Sequence, residues 1–365
     1  MKHLQQIEES KQVSPFFSFY ILVGMQIAVG ILGFQRILTQ HAGQDAWVAV
    51  LISGLSIHIL LWICYHILNK GRGDLVAIQR DLFGPFIGTI VNSYFILYYS
   101  LFVLVVLRTY IEVIQVWMFE DVYLWVFAAL FLILIYSFVS GGLRVVVGIS
   151  VLSFFIGLPL FFSHFFMLQH AHVYNLLPVM EHSFQEIMLA SKAMTLNYLG
   201  FGVIFMIYPF LKKAPTSHKW AQAGVAFTVF TYLFTLLTSL VYYNQNQLAN
   251  TIWPTLTSWK IVDLAVVERF EYIGLSIWFF IVLSNLAIGL WAASRTAKRT
   301  FPVSQRTALR IITLIIFGCS LLFVERDSID RLNDIASAIG FYTIYAYIPF
   351  LFIIQAILYK VRKKR

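Results

Sequence analysis

Ala28-Val29-Gly30-Ile31-Leu32-Gly33 interrupts an apolar run over residues 15 to 38 with two glycines, and Leu199-Gly200-Phe201-Gly202 does the same to a run over 190 to 211. Glycine adopts backbone conformations closed to other residues, so paired glycines in an apolar run mark a place where a helix can be broken. Glycine also lets membrane helices pack closely, and on the residues alone both readings stand. What sets these stretches apart is that they occupy matching places in the two halves of the chain.

The surroundings are those of a membrane protein. Of 365 residues, 60% are hydrophobic and 12% charged, where a soluble domain carries about 45–50% and 25%. That excess cannot be hidden in a soluble core, and a hydrocarbon layer of about 30 Å calls for about 20 apolar residues per helix. Apolar runs lie near 15–38, 46–68, 87–118, 123–141 and 145–168, then near 190–211, 220–243, 272–294, 308–324 and 337–359. The fold expected is all-α, integral to the membrane, with about ten spanning helices. Five runs per half is an odd number, so the halves enter the membrane in opposite senses, as in an inverted repeat. One transmembrane domain over 1–365 is expected, with a first five-helix repeat at 15–168 and a second at 190–360.

The net charge of +9 does not point to nucleic acid, because the basic residues sit between apolar runs rather than along one face. With both termini cytoplasmic, all but seven of the 26 Lys and Arg fall on the inner side; the seven are Arg36, Arg108, Lys192, Lys260, Arg269, Arg326 and Arg331. This bias sets the orientation. The inner group includes Lys2, Lys11, Arg72, Arg144, Arg295 and Lys298. It ends in the tail Lys360 to Arg365, which suits anionic membrane lipid. The two long connections, 169–189 and 244–271, face outward, and Gly71 to Gly84 reads as an interfacial amphipathic helix.

Interrupted helices free backbone N–H and C=O groups near the membrane midplane, and a helix N-terminus aimed at a cavity suits a carboxylate. A small amino acid, anion or zwitterion is the ligand class favoured. Arg108 and Glu112, spaced i, i+4, are expected to form a structural ion pair. No Asp or Glu lies near the middle of a run, which disfavours a carboxylate proton relay. Ser284 and Asn285 could serve sodium or, more commonly, helix contacts. His58 and His164 are isolated, and neither His-Glu-x-x-His, a phosphate loop nor Gly-x-Ser-x-Gly is present, so no enzyme is expected. Cys64 and Cys319 lie inside apolar runs and suggest neither disulfide nor zinc site; no metal or cofactor is expected.

Thr251-Ile252-Trp253-Pro254-Thr255, followed by Val267-Glu268-Arg269-Phe270-Glu271, resembles the signature of the B subunits of bacterial spore germinant receptors. The likeness extends to the first helix ending in Arg36, to Arg108 with Glu112, to Leu199-Gly200 and to the basic stretch Ala292 to Phe301. It implies the amino acid, polyamine and organocation transporter superfamily and a LeuT-like 5+5 fold with helices 1 and 6 interrupted. It further implies a nutrient germinant sensor in the spore inner membrane, partnered by an A subunit and a lipoprotein C subunit. The alternatives are an amino acid or cation permease of the same superfamily and a structural membrane subunit. Carried over by position, the ligand site would use Ala28, Gly30 and Ile31, Phe102, Leu199, Gly200 and Phe201, and Asn285 with Gly289. The chain departs from relatives that have Gly-x-Gly and Leu-Pro-Arg where it has Ala28-Val29-Gly30 and Phe34-Gln35-Arg36. It also has Gly202 where some relatives have Glu.

Overall fold

In a bilayer every backbone polar group must find a partner within the protein, which leaves helices as the default for a chain this apolar. The computed structural model describes residues 7–71, 73–263 and 268–364. Lys2, Arg72, Val267 and Arg365, named above, lie outside the described residues, as do the side chains of Lys363 and Lys364. In order the helices are α1 (Phe17–Gln26), α2 (Phe34–Ala42), α3 (Ala46–Lys70), α4 (Leu75–Trp117), α5 (Leu124–Ser140), α6 (Leu143–Phe162), α7 (His164–Leu168) and α8 (Phe184–Tyr198). There follow α9 (Ile204–Ile207), α10 (His218–Tyr242), α11 (Gln245–Asn250), α12 (Pro254–Ser258), α13 (Phe270–Thr300), α14 (Gln305–Ser320), α15 (Arg326–Tyr342) and α16 (Ile348–Lys364).

Each of the ten apolar runs contains helix. Among the described residues six helical stretches are long and apolar enough to cross a membrane, and α8 with Phe201–Phe210, bent by 44°, makes up to seven. The runs that fall short do so by length: α1 stops after 10 residues because its span is broken, and α5 and α14 are 17 and 16 residues long. The helix that leads into Leu199-Gly200 begins at Phe184, ahead of the expected 190, because Ser183 and Glu186 form a capping box there.

α13 is the axis of the bundle. Along its middle run Ser284, Asn285, Ala287, Gly289, Ala292 and Ala293, small or amide side chains that are all buried and let α4, α6, α14 and α1 close around it. The outer helices turn large apolar side chains away from the protein, with Leu97 70%, Ile133 66% and Leu314 69% exposed. In water such faces would be costly; against lipid tails they are not.

Two features refine the sequence reading. The amphipathic stretch before the third span is a distinct helical piece, cut from the rest of α4 at Gly84 (φ 81°, ψ 177°) just before Pro85. It does not lie free at the interface. Leu75, Val76, Ile78 and Gln79 are buried, Asp74 pairs with Arg299 at 2.7 Å, and Gln79 donates to the Tyr347 hydroxyl. At the other end of the bundle, the buried Asp45 accepts from the backbone N–H groups of Met180, Glu181 and His182 at 2.7–3.0 Å and from the His182 ring at 3.1 Å. Burial alone would raise the Asp45 pKa. The four donors outweigh it and hold the carboxyl below its ordinary value. This fastens the connection before α8 to the α2–α3 turn.

Candidate ligand-binding site

α1 ends at Gln26. Ile27 (φ −95°, ψ 103°) and Ala28 (φ −142°, ψ −146°) are extended, and a 3-10 turn over Val29–Leu32 leads to α2. α8 ends at Tyr198; Leu199 is extended and Gly200 is left-handed at φ 103° before the 3-10 turn Phe201–Val203. The two breaks touch, since a Cβ on Gly200 would stand 2.9 Å from the Met25 carbonyl oxygen. Of the two readings of the glycine pairs, interruption holds at Gly200, where an L-residue would be strained and crowded at once.

Breaking a helix inside a membrane leaves carbonyls without partners, and here side chains supply them. Asn285 Nδ2 donates to Met25 O at 2.7 Å and Gly24 O at 3.3 Å. Tyr232 OH donates to Gln26 O at 3.0 Å, Thr255 Oγ1 to Ile31 O at 2.8 Å, and Gln26 Nε2 crosses to Tyr198 O at 2.9 Å. The N–H groups at the head of Val29–Leu32 precede its first internal bond, as at any helical start.

Beside the breaks lies a cavity of about 430 Å³. Its inner wall includes Gln26, Ala28, Gly30, Asn197, Leu199 and Phe102, with Asn285 and Tyr232 behind. Gln26 Oε1 and Asn197 Oδ1 are buried and accept no hydrogen bond, so two amide acceptors are unspent at the cavity wall. Towards its mouth the lining turns charged, with Arg36, Arg326, Asp330 and Asp334. Arg326 holds the mouth together: it bonds Glu112 at 2.8 Å and Asp330 at 3.2 Å, and its guanidinium lies 5.0 Å from the centre of the Trp253 ring. The loop carrying Trp253 presses on the interrupted helix at Gly33, where a Cβ would meet Ile252 O at 2.7 Å.

Of the residues expected at the site, Ala28, Gly30, Phe102, Leu199 and Asn285 line this cavity. Ile31 does not; it faces a separate apolar cavity of about 70 Å³ with Trp259 and Trp278. Gly200 shapes the break without lining the cavity, and Phe201 is fully buried behind it. Gly289 serves packing, since a Cβ there would stand 2.8 Å from Val103 Cγ2. The expected Arg108–Glu112 ion pair is not formed as a direct contact. Glu112 takes Arg326 instead, while Arg108 donates to the carbonyls of Phe323 and Val324. The i, i+4 spacing permits the pair, but the α14–α15 connection supplies partners to Arg108 and the first residue of α15 supplies one to Glu112. Ser284 and Asn285 are spent on helix contacts, Ser284 Oγ donating to Ser150 Oγ at 3.0 Å.

Sequence reasoning missed Gln26, Asn197, Tyr232 and Arg326. The first two carried a signal, being amides in apolar runs within four residues of a break glycine.

Residues 12–329 match the model of a family described as spore germination protein. The chain is 40% identical over 360 residues to the spore germination protein GerQB of Bacillus cereus, covering 99% of this chain and 100% of that one. It is 21% identical to the spore germination protein YndE of Bacillus subtilis (strain 168), covering 92% and 93% of the two chains. Among solved structures, MhsT in complex with L-phenylalanine superposes with a TM-score of 0.69 at 14% identity, over 94% of this chain and 88% of that one. A Na+-coupled sialic acid symporter in a substrate-bound outward-open state gives 0.68 at 10% identity, over 93% and 80%. At these identities the likeness is one of fold, the LeuT-like transporter fold.

Proposed function

Because this chain belongs to the spore germination protein family, we propose that it is the nutrient-sensing membrane subunit of a spore germinant receptor and binds an amino acid in the cavity at the two helix breaks. The observation that carries the ligand class is the pair of unspent amide acceptors, Gln26 Oε1 and Asn197 Oδ1, on that wall. They suit a protonated amine. A volume of about 430 Å³ is in the range of small-molecule sites.

In this reading the protein is not an enzyme. Ligand occupancy favours one helix arrangement, and the differential affinity for it carries the signal to an A subunit and a lipoprotein C subunit. The chain would sit in the spore inner membrane with both termini on the core side, as its inner bias of basic residues supports.

The test is germination of spores carrying Gly30→Val or Asn197→Ala against a panel of amino acids, with receptor levels monitored. A Cβ on Gly30 would stand 2.1 Å from Asn197 Oδ1, so the first substitution pushes the acceptor out of place. Loss of response to one nutrient with receptor still made is expected; an unchanged response by both variants would sink the assignment. The likeness to substrate-bound transporters favours a second reading, an amino acid permease with the same pocket. Uptake of labelled amino acid by this chain alone in proteoliposomes would support it.

A further inference from the structure

At the end of α13 away from the Arg326 mouth lies a second polar cavity, of about 510 Å³. It is walled by the segment before α1, the α5–α6 turn and the last turns of α13, with Phe210 and Gln305 completing the lining. They bring Lys11, Arg144, Arg295 and Lys298 together with one carboxylate, Glu8.

These charges do not balance locally. Glu8 is taken up by Lys11 at 2.9 Å. Arg144 is spent on main chain, donating to Gln12 O at 3.1 Å and Glu9 O at 3.0 Å, which ties down the N-terminal segment. Asp74, which Arg295 feels from one side, is held by Arg299 at 2.7 Å. Arg295 lies over the Phe210 ring at 4.9 Å, and its Nε is buried with no hydrogen-bond partner. Among the described residues neither Arg295 nor Lys298 has a carboxylate partner. The head of α6 adds to the surplus: Gly142, its N-cap, supplies no side-chain acceptor, and both Gly142 and Leu143 line the cavity. A helix start of this length presents unpaired N–H groups and partial positive charge.

Arg295 is half-buried with an unpartnered Nε while Lys298 is exposed, and an anion held by both and by the head of α6 would supply the missing opposite charge. We infer that this cavity binds a phosphate-bearing anion, with Arg295 and Lys298 as its principal ligands. The chemistry is shared by the headgroup of an anionic phospholipid and by soluble phosphate. An anion there would join the segment leading into α1 to α6 and α13. That segment is already paired to the end of the sixth span through Val13 N–H to Phe210 O and Lys212 N–H to Val13 O, both 2.9 Å. The inner end of the interrupted first span would be steadied as a result.

The experiment uses the purified full-length protein in detergent. Retention of dioleoylphosphatidylglycerol against dioleoylphosphatidylcholine is read by native mass spectrometry, and inorganic phosphate is titrated with thermal melting as the readout. Wild type is compared with Lys298→Gln, with the Arg295→Gln/Lys298→Gln double variant, and with Lys360→Gln, whose lysine does not line the cavity. Preferential retention of phosphatidylglycerol, weakened about tenfold or more in the double variant and unchanged in Lys360→Gln, supports the site with lipid as the source. Saturable stabilisation by phosphate, lost in the same variants, supports it with a soluble source. If wild type prefers neither anion, or if Lys298→Gln binds as tightly as wild type, the inference is overturned. Lys298→Gln decides alone should the double variant fail to fold.

Discussion

Gly200→Ala and Gly202→Ala, two residues apart in the same break, should behave in opposite ways. Gly200 has φ 103°, and an added Cβ would meet Met25 O at 2.9 Å, a backbone atom that cannot swing aside. A left-handed L-residue costs about 1–2 kcal/mol, and overpacking adds about 1–3 kcal/mol. The sum is about 2–5 kcal/mol, a shift of roughly thirtyfold to a few thousandfold in the folding equilibrium. At Gly202 a Cβ meets nothing within 4 Å and the backbone is right-handed, so the change should stay within about 0.5 kcal/mol. The assay is unfolding of each purified variant in mixed micelles with increasing sodium dodecyl sulfate, followed by circular dichroism. If Gly200→Ala proved as stable as wild type, or Gly202→Ala equally damaged, the two breaks do not meet as described and the cavity between them loses its frame.

Asn285→Ala removes the donor to Met25 O and Gly24 O and should cost about 1–3 kcal/mol in the same assay; no loss would mean those carbonyls have another partner. Asp45→Asn should loosen the connection before α8, read as faster hydrogen exchange at Met180 to His182. Because folding depresses the Asp45 pKa, its contribution is complete above the ordinary aspartate value of about 3.9 and fades as pH falls through the lower folded value. Protection of those amides, taken against the intrinsic exchange rate at each pH, should therefore fall only in acid, and an acid-insensitive protection would refute the anchor. Glu112→Gln weakens the hold on Arg326 at the cavity mouth. A reporter cysteine introduced by Asn333→Cys, at a position that lines the same cavity, should then react several-fold faster with a membrane-impermeant maleimide, and an unchanged rate would deny Arg326 its role.

The fold was legible because membrane helices announce themselves in uninterrupted apolar runs, and the first break because Gly30 and Gly33 stand inside one. Gly200 could be read for its backbone, although not for its distance from the cavity wall. The side chains that finish the site were harder to see. Asn285 was visible as an amide in an apolar run, but its partners, the carbonyls of Gly24 and Met25, exist as partners only once a helix elsewhere has opened. Arg326 reads from sequence as an outer-end charge, and only the arrival of α15 beside α4 gives it Glu112. The Arg108–Glu112 expectation failed for the same reason, since spacing along one helix cannot weigh a competitor from another.

The cross-bonds at the two breaks bear on how the chain is made. Asn285, Tyr232 and Thr255 serve carbonyls more than 200 positions earlier, and Gln26 serves Tyr198 across 172. While the ribosome is still releasing the later helices, the opened first span has no side chains to quiet those carbonyls. During synthesis it must therefore remain an unbroken helix or stay in a wet, sheltered setting such as the insertion machinery. The opened form would be acquired only once Asn285, on the eighth of the ten apolar runs, has entered the membrane, so the pocket matures late in biogenesis.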